Sequence, residues 1–186
     1  MTENFVNPIN FGIKADKIYY YREDIRAKLD ISIAELEAIG IIDGVIMINH
    51  KLIEPLIKVQ SQLSSQGYDI VIKDGYRSPE VYKLAYEKRV IKDGLAETQK
   101  LLNMKTMPHA SGLVVDLGLI DKITGDPIKF YDYKIDGSDA WFVDFYRQRE
   151  DSVSQEYQKI QDLLIGTMLK YGFALGSKKE IWHFEF

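Results

Sequence analysis

Polar and apolar positions alternate along this chain in a way that predicts short strands set between a few capped helices. The clearest helix runs from His50 to Gln66, where Leu52, Leu56, Val59 and Leu63 recur on one face, with Asn49 ahead of it and Gly67 behind. Tyr68–Lys73 (YDIVIK) is rich in β-branched residues and reads as a strand, closed by the turn signal Asp74-Gly75. Ser78-Pro79-Glu80 places Ser at the N-cap, Pro at the first helical position and an acid in the first turn, so a helix is expected from there to about Lys92, stopping at Gly94. A last helix starts at Ser154 or a neighbour and reaches Tyr171, with Tyr157, Ile160, Leu164, Thr167, Met168 and Tyr171 on one face and Gly172 at its end.

The remaining segments are shorter. Leu113–Ile120 (LVVDLGLI) reads as a buried strand interrupted by one acid, and Thr124-Gly125-Asp126-Pro127 as a turn. Phe173–Leu175, a turn through Gly176-Ser177, and Ile181–Phe186 close the chain as strands. Ser32 caps a short helix ending at Gly40; Ile18–Tyr21 is expected as a short strand, and Gly44–Ile48 is too short for its period to decide. Residues 95–108 are read as a polar excursion and 128–150 as a long loop. The pattern is that of a single α+β domain over residues 1–186, with a mainly antiparallel sheet flanked by helices.

Composition narrows the chemistry. The chain has 186 residues, enough for a core without covalent staples. It has no cysteine, which excludes disulfides, thiolate zinc sites, iron–sulfur clusters and a thiol nucleophile together. A net charge of −4 with no basic stripe leaves nucleic-acid binding without an electrostatic footprint. No apolar run is long enough to span a membrane, and the first residues lack a basic and then apolar leader, so a cytoplasmic location without membrane contact is expected. Oligomeric state leaves no mark in the sequence. Any metal must be held by Asp, Glu and the three histidines, His50, His109 and His183.

Three segments can carry chemistry. Asp74-Gly75-Tyr76-Arg77-Ser78-Pro79 sets Arg77 where a strand end meets a helix start; alone, Arg77 reads more readily as a surface arginine near Glu80. In Pro108–Leu117, Asp116 stands inside an apolar run and must be paired or bind a metal. His109 is seven residues earlier, on the opposite strand face, so the two converge only if the chain bends at Ala110-Ser111-Gly112. In Glu180–Phe186 an extended strand puts Ile181, His183 and Glu185 on one face and the core-like Trp182, Phe184 and Phe186 on the other. Each of Asp116 and His183 alone also fits a satisfied structural side chain. Together, two histidines and an aspartate are the right number and type for zinc with an open fourth position. Glu180 is then near enough to act as a base, Arg77 can stabilise an oxyanion, and His50 is left over as a surface or capping residue.

The set D-G-Y-R, H-x-x-G-x-x-x-D and E-x-W-H-F resembles the zinc D-Ala-D-Ala peptidases, a group related to lysostaphin-type and hedgehog-type domains, and most closely their VanX-type dipeptidases. The resemblance spans residues 74–186 and leaves the first 45 uncovered. It implies the family's small α+β domain, with His109, Asp116 and His183 as ligands of Zn2+, Glu180 as catalytic base and Arg77 stabilising the tetrahedral intermediate. It also implies a small peptide substrate containing D-amino acids: D-Ala-D-Ala itself, or a longer wall peptide cut by a D,D-carboxypeptidase, an L-alanyl-D-glutamate endopeptidase or a lysin. A zinc-bearing module that only binds such peptides, and a metal-free protein, are the other classes. Three positions depart from the family: Met107 replaces a usual serine, Val114 a favoured alanine, and Ser111 an arginine frequent in the dipeptidases. They spare the metal and the base and bear on substrate contacts. Residues 95–108 and 128–150 are expected as cleft walls, with Asp139 or Asp144 as candidate contacts for a substrate amino group.

Overall fold

The computed structural model describes residues 4–176 and 179–186. In chain order the elements are β1 (Phe5–Val6), β2 (Lys14–Ala15), α1 (Glu23–Leu29), α2 (Ile33–Ala38), β3 (Ile48–Asn49), α3 (Ile53–Ser64), β4 (Tyr68–Asp74), α4 (Pro79–Asp93) and α5 (Leu95–Leu101). There follow β5 (Val114–Asp121), β6 (Pro127–Ile128), α6 (Tyr133–Asp136), α7 (Ser152–Lys170), β7 (Ala174–Leu175) and β8 (His183–Glu185).

Local capping sets the helix ends. Ser32 and Glu35 form a reciprocal capping box at α2. The Asn49 side chain accepts from the Lys51 N–H, and a 3-10 turn at His50–Leu52 leads into α3. The Ser78 hydroxyl accepts from the Val81 N–H at the start of α4, and Pro79 occupies the first helical position. Asp151, three residues before Ser154, caps α7.

The main sheet runs in the order β2-β4-β5-β8-β7, with β6 also paired to β5. Its pairings are antiparallel except β2 with β4. The expected α+β class with a mainly antiparallel sheet is therefore the observed one. Ile72, Leu117, Leu119 and Phe184 meet Leu56, Val59, Leu63, Leu164 and Met168 of α3 and α7 in the principal core. A second core gathers Tyr20, Ile25, Leu29, Leu36, Val81, Tyr82, Ala85 and Leu102.

Four expectations are corrected. Ile18–Tyr21 is no strand: Tyr19–Tyr21 form a 3-10 turn that carries Tyr20 into the second core. Residues 95–108 hold helix α5, hidden from the pattern because its buried position is Thr98 while Leu95 and Leu101 are exposed. Residues 128–150 hold α6 and a 3-10 turn at Ser138–Trp141. The final strand starts only at His183, so Ile181 enters by a turn and is fully buried, while Phe186 is 46% exposed. Of the expected turn at Gly176-Ser177, Ser177 lies outside the described residues. Among the described residues no helix is long and apolar enough to cross a membrane.

Candidate metal centre

Strand register builds one side of the site. Asp116 of β5 sits directly opposite His183 of β8, so both side chains leave the same sheet face. On its other flank Asp116 is paired with Asp74 of β4. The β4 register slips between Ile72, opposite Leu117, and Asp74; without that bulge Lys73 would face Asp116. The bulge thus puts a carboxylate on the site face where a regular strand would put a lysine.

His109 arrives by the bend that its spacing required. It lies in a 3-10 turn over Pro108–Ser111, between Met107 at φ 42° and Gly112 at φ 68°. A Cβ on Gly112 would stand 2.3 Å from the Phe5 ring, so glycine is needed there for clearance as well as for φ. Three bonds hold the turn: the His109 N–H donates to the Tyr82 hydroxyl at 3.0 Å, the Arg77 N–H donates to the His109 carbonyl at 3.2 Å, and the His109 ring nitrogen Nδ1 lies 2.8 Å from the Gly75 carbonyl. A carbonyl only accepts, so Nδ1 carries a proton there and the ring is turned with Nε2 toward the cluster.

Asp116 joins the histidines. Its Oδ1 lies 2.9 Å from His183 Nδ1 and 3.5 Å from His109 Nε2. These distances bracket the separation of about 3.3 Å between ligands of a tetrahedral ion with bonds of about 2.0 Å. One donor atom from each of His109, Asp116 and His183 lies within 4.8 Å of the others, so the group can hold a metal ion. Three protein ligands are the number found where a further position serves water or substrate. Burial pushes the Asp116 carboxyl up, but the charge and hydrogen bonds of His109, then those of His183, outweigh it and hold the group well below the usual carboxylate range. For His183 burial favours the neutral ring, yet the Asp116 hydrogen bond and charge, with smaller help from Glu180 and Glu185, raise its pKa. Behind this ring, Glu185 Oε1 is 3.7 Å from Nε2, and a Cβ on Gly176 would stand 2.3 Å from Cδ2.

Arg77 belongs to the same site. Its guanidinium binds Asp74 at 2.6 Å and reaches Asp116 at 3.8 Å, so it spans the two neighbouring carboxylates rather than pairing with Glu80. Its side chain is 12% exposed and that of Asp74 2%. Burial disfavours the cation, but Asp74, with Tyr20 and Asp116, holds it firmly protonated. Glu180 sits in an isolated bridge opposite Phe142, flanked by backbone bonds from Ile181 to Trp141 and from Val143 to Lys179. The loop over 128–150 is therefore stitched along the Glu180 segment. His50 is exposed and lies edge-on to Phe11, outside the cluster.

The departures from the family pattern have local reasons. Ser111 is used inside its turn, donating to the Pro108 carbonyl and accepting from the Leu113 N–H. Met107 packs against the second core, and Val114 is 4% exposed. Asp139 and Asp144 are both exposed, and Asp144 pairs with Arg147. Asp74, Tyr82, Gly176 and Glu185 were not singled out as site residues by the sequence reading. Asp74 had a signal, an acid three residues before an arginine, whereas the others become visible only in the folded chain.

No family model and no curated protein sequence matches the chain. Among solved structures it is similar to the LdcB LD-carboxypeptidase, described for peptidoglycan recognition, with a TM-score of 0.50 and 16% identity over 75% of this chain and 59% of that one. It is also similar to the D,D-dipeptidase VanXYg in complex with a D-Ala-D-Ala phosphinate analogue (TM-score 0.45, 23% identity, 77% and 51% covered). A further similarity is to the D,D-pentapeptidase VanY in complex with Zn(II) (0.48, 14%, 77% and 74%). The chain thus spans a little over half the length of the first two. These neighbours are peptidases of the kind that the sequence motifs resemble, and the chain has the fold of the LdcB LD-carboxypeptidase.

Proposed function

We propose that this protein is a zinc peptidase that hydrolyses the peptide bond next to a D-amino acid, with D-Ala-D-Ala or a related cell-wall peptide as substrate. The observation that carries the reading is the buried group of His109, Asp116 and His183 with the Arg77 cation at its edge. The motif resemblance and the LdcB-like fold support the substrate class.

Zinc held by these three residues would supply a Lewis acid that polarises the scissile carbonyl and makes water nucleophilic near neutral pH. The chain's own groups do the rest. Glu180 takes the proton of the attacking water and passes it to the leaving amine, which then departs neutral. Arg77, already charge-balanced by Asp74, presents its guanidinium to the oxyanion of the tetrahedral intermediate. The Gly75 carbonyl holds the His109 imidazole in orientation, and the Glu185 carboxylate lies 3.7 Å from Nε2 of His183.

The test pairs elemental analysis with hydrolysis of free D-Ala-D-Ala and of a muropeptide pentapeptide. About one equivalent of zinc and turnover of either substrate are expected, and Glu180→Gln should keep the zinc and lose the turnover. Less than about half an equivalent of zinc, unchanged by His109→Ala, would overturn the reading. A second reading, a carboxypeptidase on longer wall peptides, draws on the LdcB-like fold; cleavage of the pentapeptide without the dipeptide would select it.

A further inference from the structure

Arg77 is held along one edge by a carboxylate and lies over two tyrosine rings, contributed by different parts of the chain. Asp74 takes the edge, with the Arg77 Nε donating at 2.8 Å and Nη2 at 2.6 Å to the same oxygen. Arg77 also lies over two tyrosine rings: the guanidinium carbon is 5.5 Å from the Tyr20 ring centroid and 5.6 Å from that of Tyr82. Both rings are at most 2% exposed, so these cation–π contacts are desolvated, where they are strongest. Tyr82 also accepts from the His109 N–H, which ties the slot to a ligand of the cluster.

Tyr20 comes from the first 45 residues, which the family resemblance does not reach. It sits on the 3-10 turn Tyr19–Tyr21, fastened by the Ile18 N–H to the Gly44 carbonyl and by the Tyr21 hydroxyl to the Ile42 carbonyl. A flexible arginine gripped only along one edge by Asp74 can still swing about that edge. Rings over the guanidinium remove the swing, and small misplacements of a catalytic group are costly.

We propose that Tyr20, together with Tyr82, is a positioning residue for Arg77: its ring fixes the guanidinium beside Asp116, so the N-terminal segment completes the active site. This inference rests on the role given to Arg77 in hydrolysis. The ring and not the hydroxyl carries the effect.

The test compares Tyr20→Phe with Tyr20→Leu in the full chain, on D-Ala-D-Ala and the muropeptide pentapeptide. Tyr20→Leu should lower kcat about thirtyfold, the size of one desolvated cation–π contact, with KM changed less than about twofold. Tyr20→Phe should restore the rate, and zinc content should be equal in all. A second readout needs no turnover: in 15N-labelled protein the Arg77 Nε–H resonance carries the ring-current shift of two aromatic faces. It should keep that shift in Tyr20→Phe and move, with faster water exchange, in Tyr20→Leu. An unmoved resonance with an unchanged rate in Tyr20→Leu overturns the proposal, and so does a Tyr20→Phe loss as large as that of Tyr20→Leu. If Tyr20→Leu does not fold, Tyr20→Met fills more of the same volume without a ring and takes its place. If the wild type turns over neither peptide, the hydrolytic reading falls, while the resonance still decides whether Tyr20 holds Arg77.

Discussion

The two sides of the site are made by different kinds of interaction. On the sheet side, Asp74, Asp116 and His183 stand in one row because backbone pairing of β4, β5 and β8 puts them there. On the helical side, Arg77 is set by side chains, Tyr20 from the N-terminal turn and Tyr82 from α4, which belong to the second core. Of the candidate ligands, Asp116 and His183 are thus positioned by ladder hydrogen bonds, while the cation depends on how well a small core closes over it. Loss of a ligand should therefore act on the metal, and loss of a contact on the helical side should act on stability and rate.

The strongest break of this division is Asp116→Ala. Its Oδ1 is the atom nearest both histidines, so metal affinity should fall by more than the ~10–100-fold typical of changes to outer-shell partners, and hydrolysis should vanish. Isothermal titration with zinc measures it; affinity within tenfold of wild type would move the ligand set elsewhere.

Next comes Arg77→Met, which leaves Asp74 buried without its cation. A stability loss of about 3–5 kcal/mol is expected, read in urea with an unchanged slope, and Asp74→Leu added to it should recover most of the loss. Zinc content should stay near wild type, which would separate the two sides; joint loss of zinc and stability would merge them.

Gly176→Ala probes the sheet side more gently. The new methyl would meet the His183 ring, which must turn away, so zinc affinity should drop roughly tenfold with little change in stability. The control is Gly125→Ala, where φ is +78° in open space: stability should fall by about 1 kcal/mol and zinc affinity should not move.

The smallest effect concerns the capping box at the start of α2. Lys88, then Ser32, holds the Glu35 carboxyl at about 2, below its ordinary 4.5. A folded pKa lower than the unfolded one means that the stabilisation is present above pH 4.5 and is lost as pH falls through about 2. Glu35→Gln should flatten that part of the acid limb in a pH series of thermal unfolding, without touching zinc binding.

Much of the architecture could be read from residues because its causes are local. Ser78-Pro79 and Gly94 bound α4 as expected, since a cap needs only neighbours within one turn. Leu52, Leu56, Val59 and Leu63 are all fully buried, since a helical period carries its own direction. Helix α5 escaped because its inward residue is a threonine. Strand parity set Ile181 on the His183 face and Phe186 in the core, yet Ile181 lies in the turn before β8 and is fully buried, and Phe186, past the end of β8, is 46% exposed.

By itself, then, the sequence determined which groups were available: no thiol, three histidines, one acid within an apolar strand, and a bend of small residues between His109 and Asp116. Only the tertiary structure decided their company. The β4 bulge that turns Asp74 toward Asp116, the Tyr20 ring over Arg77 and the missing side chain of Gly176 behind His183 each join segments far apart in the chain. Spacing along the chain fixes what a local period or cap requires, whereas contact across it depends on register and on which surfaces must leave water together.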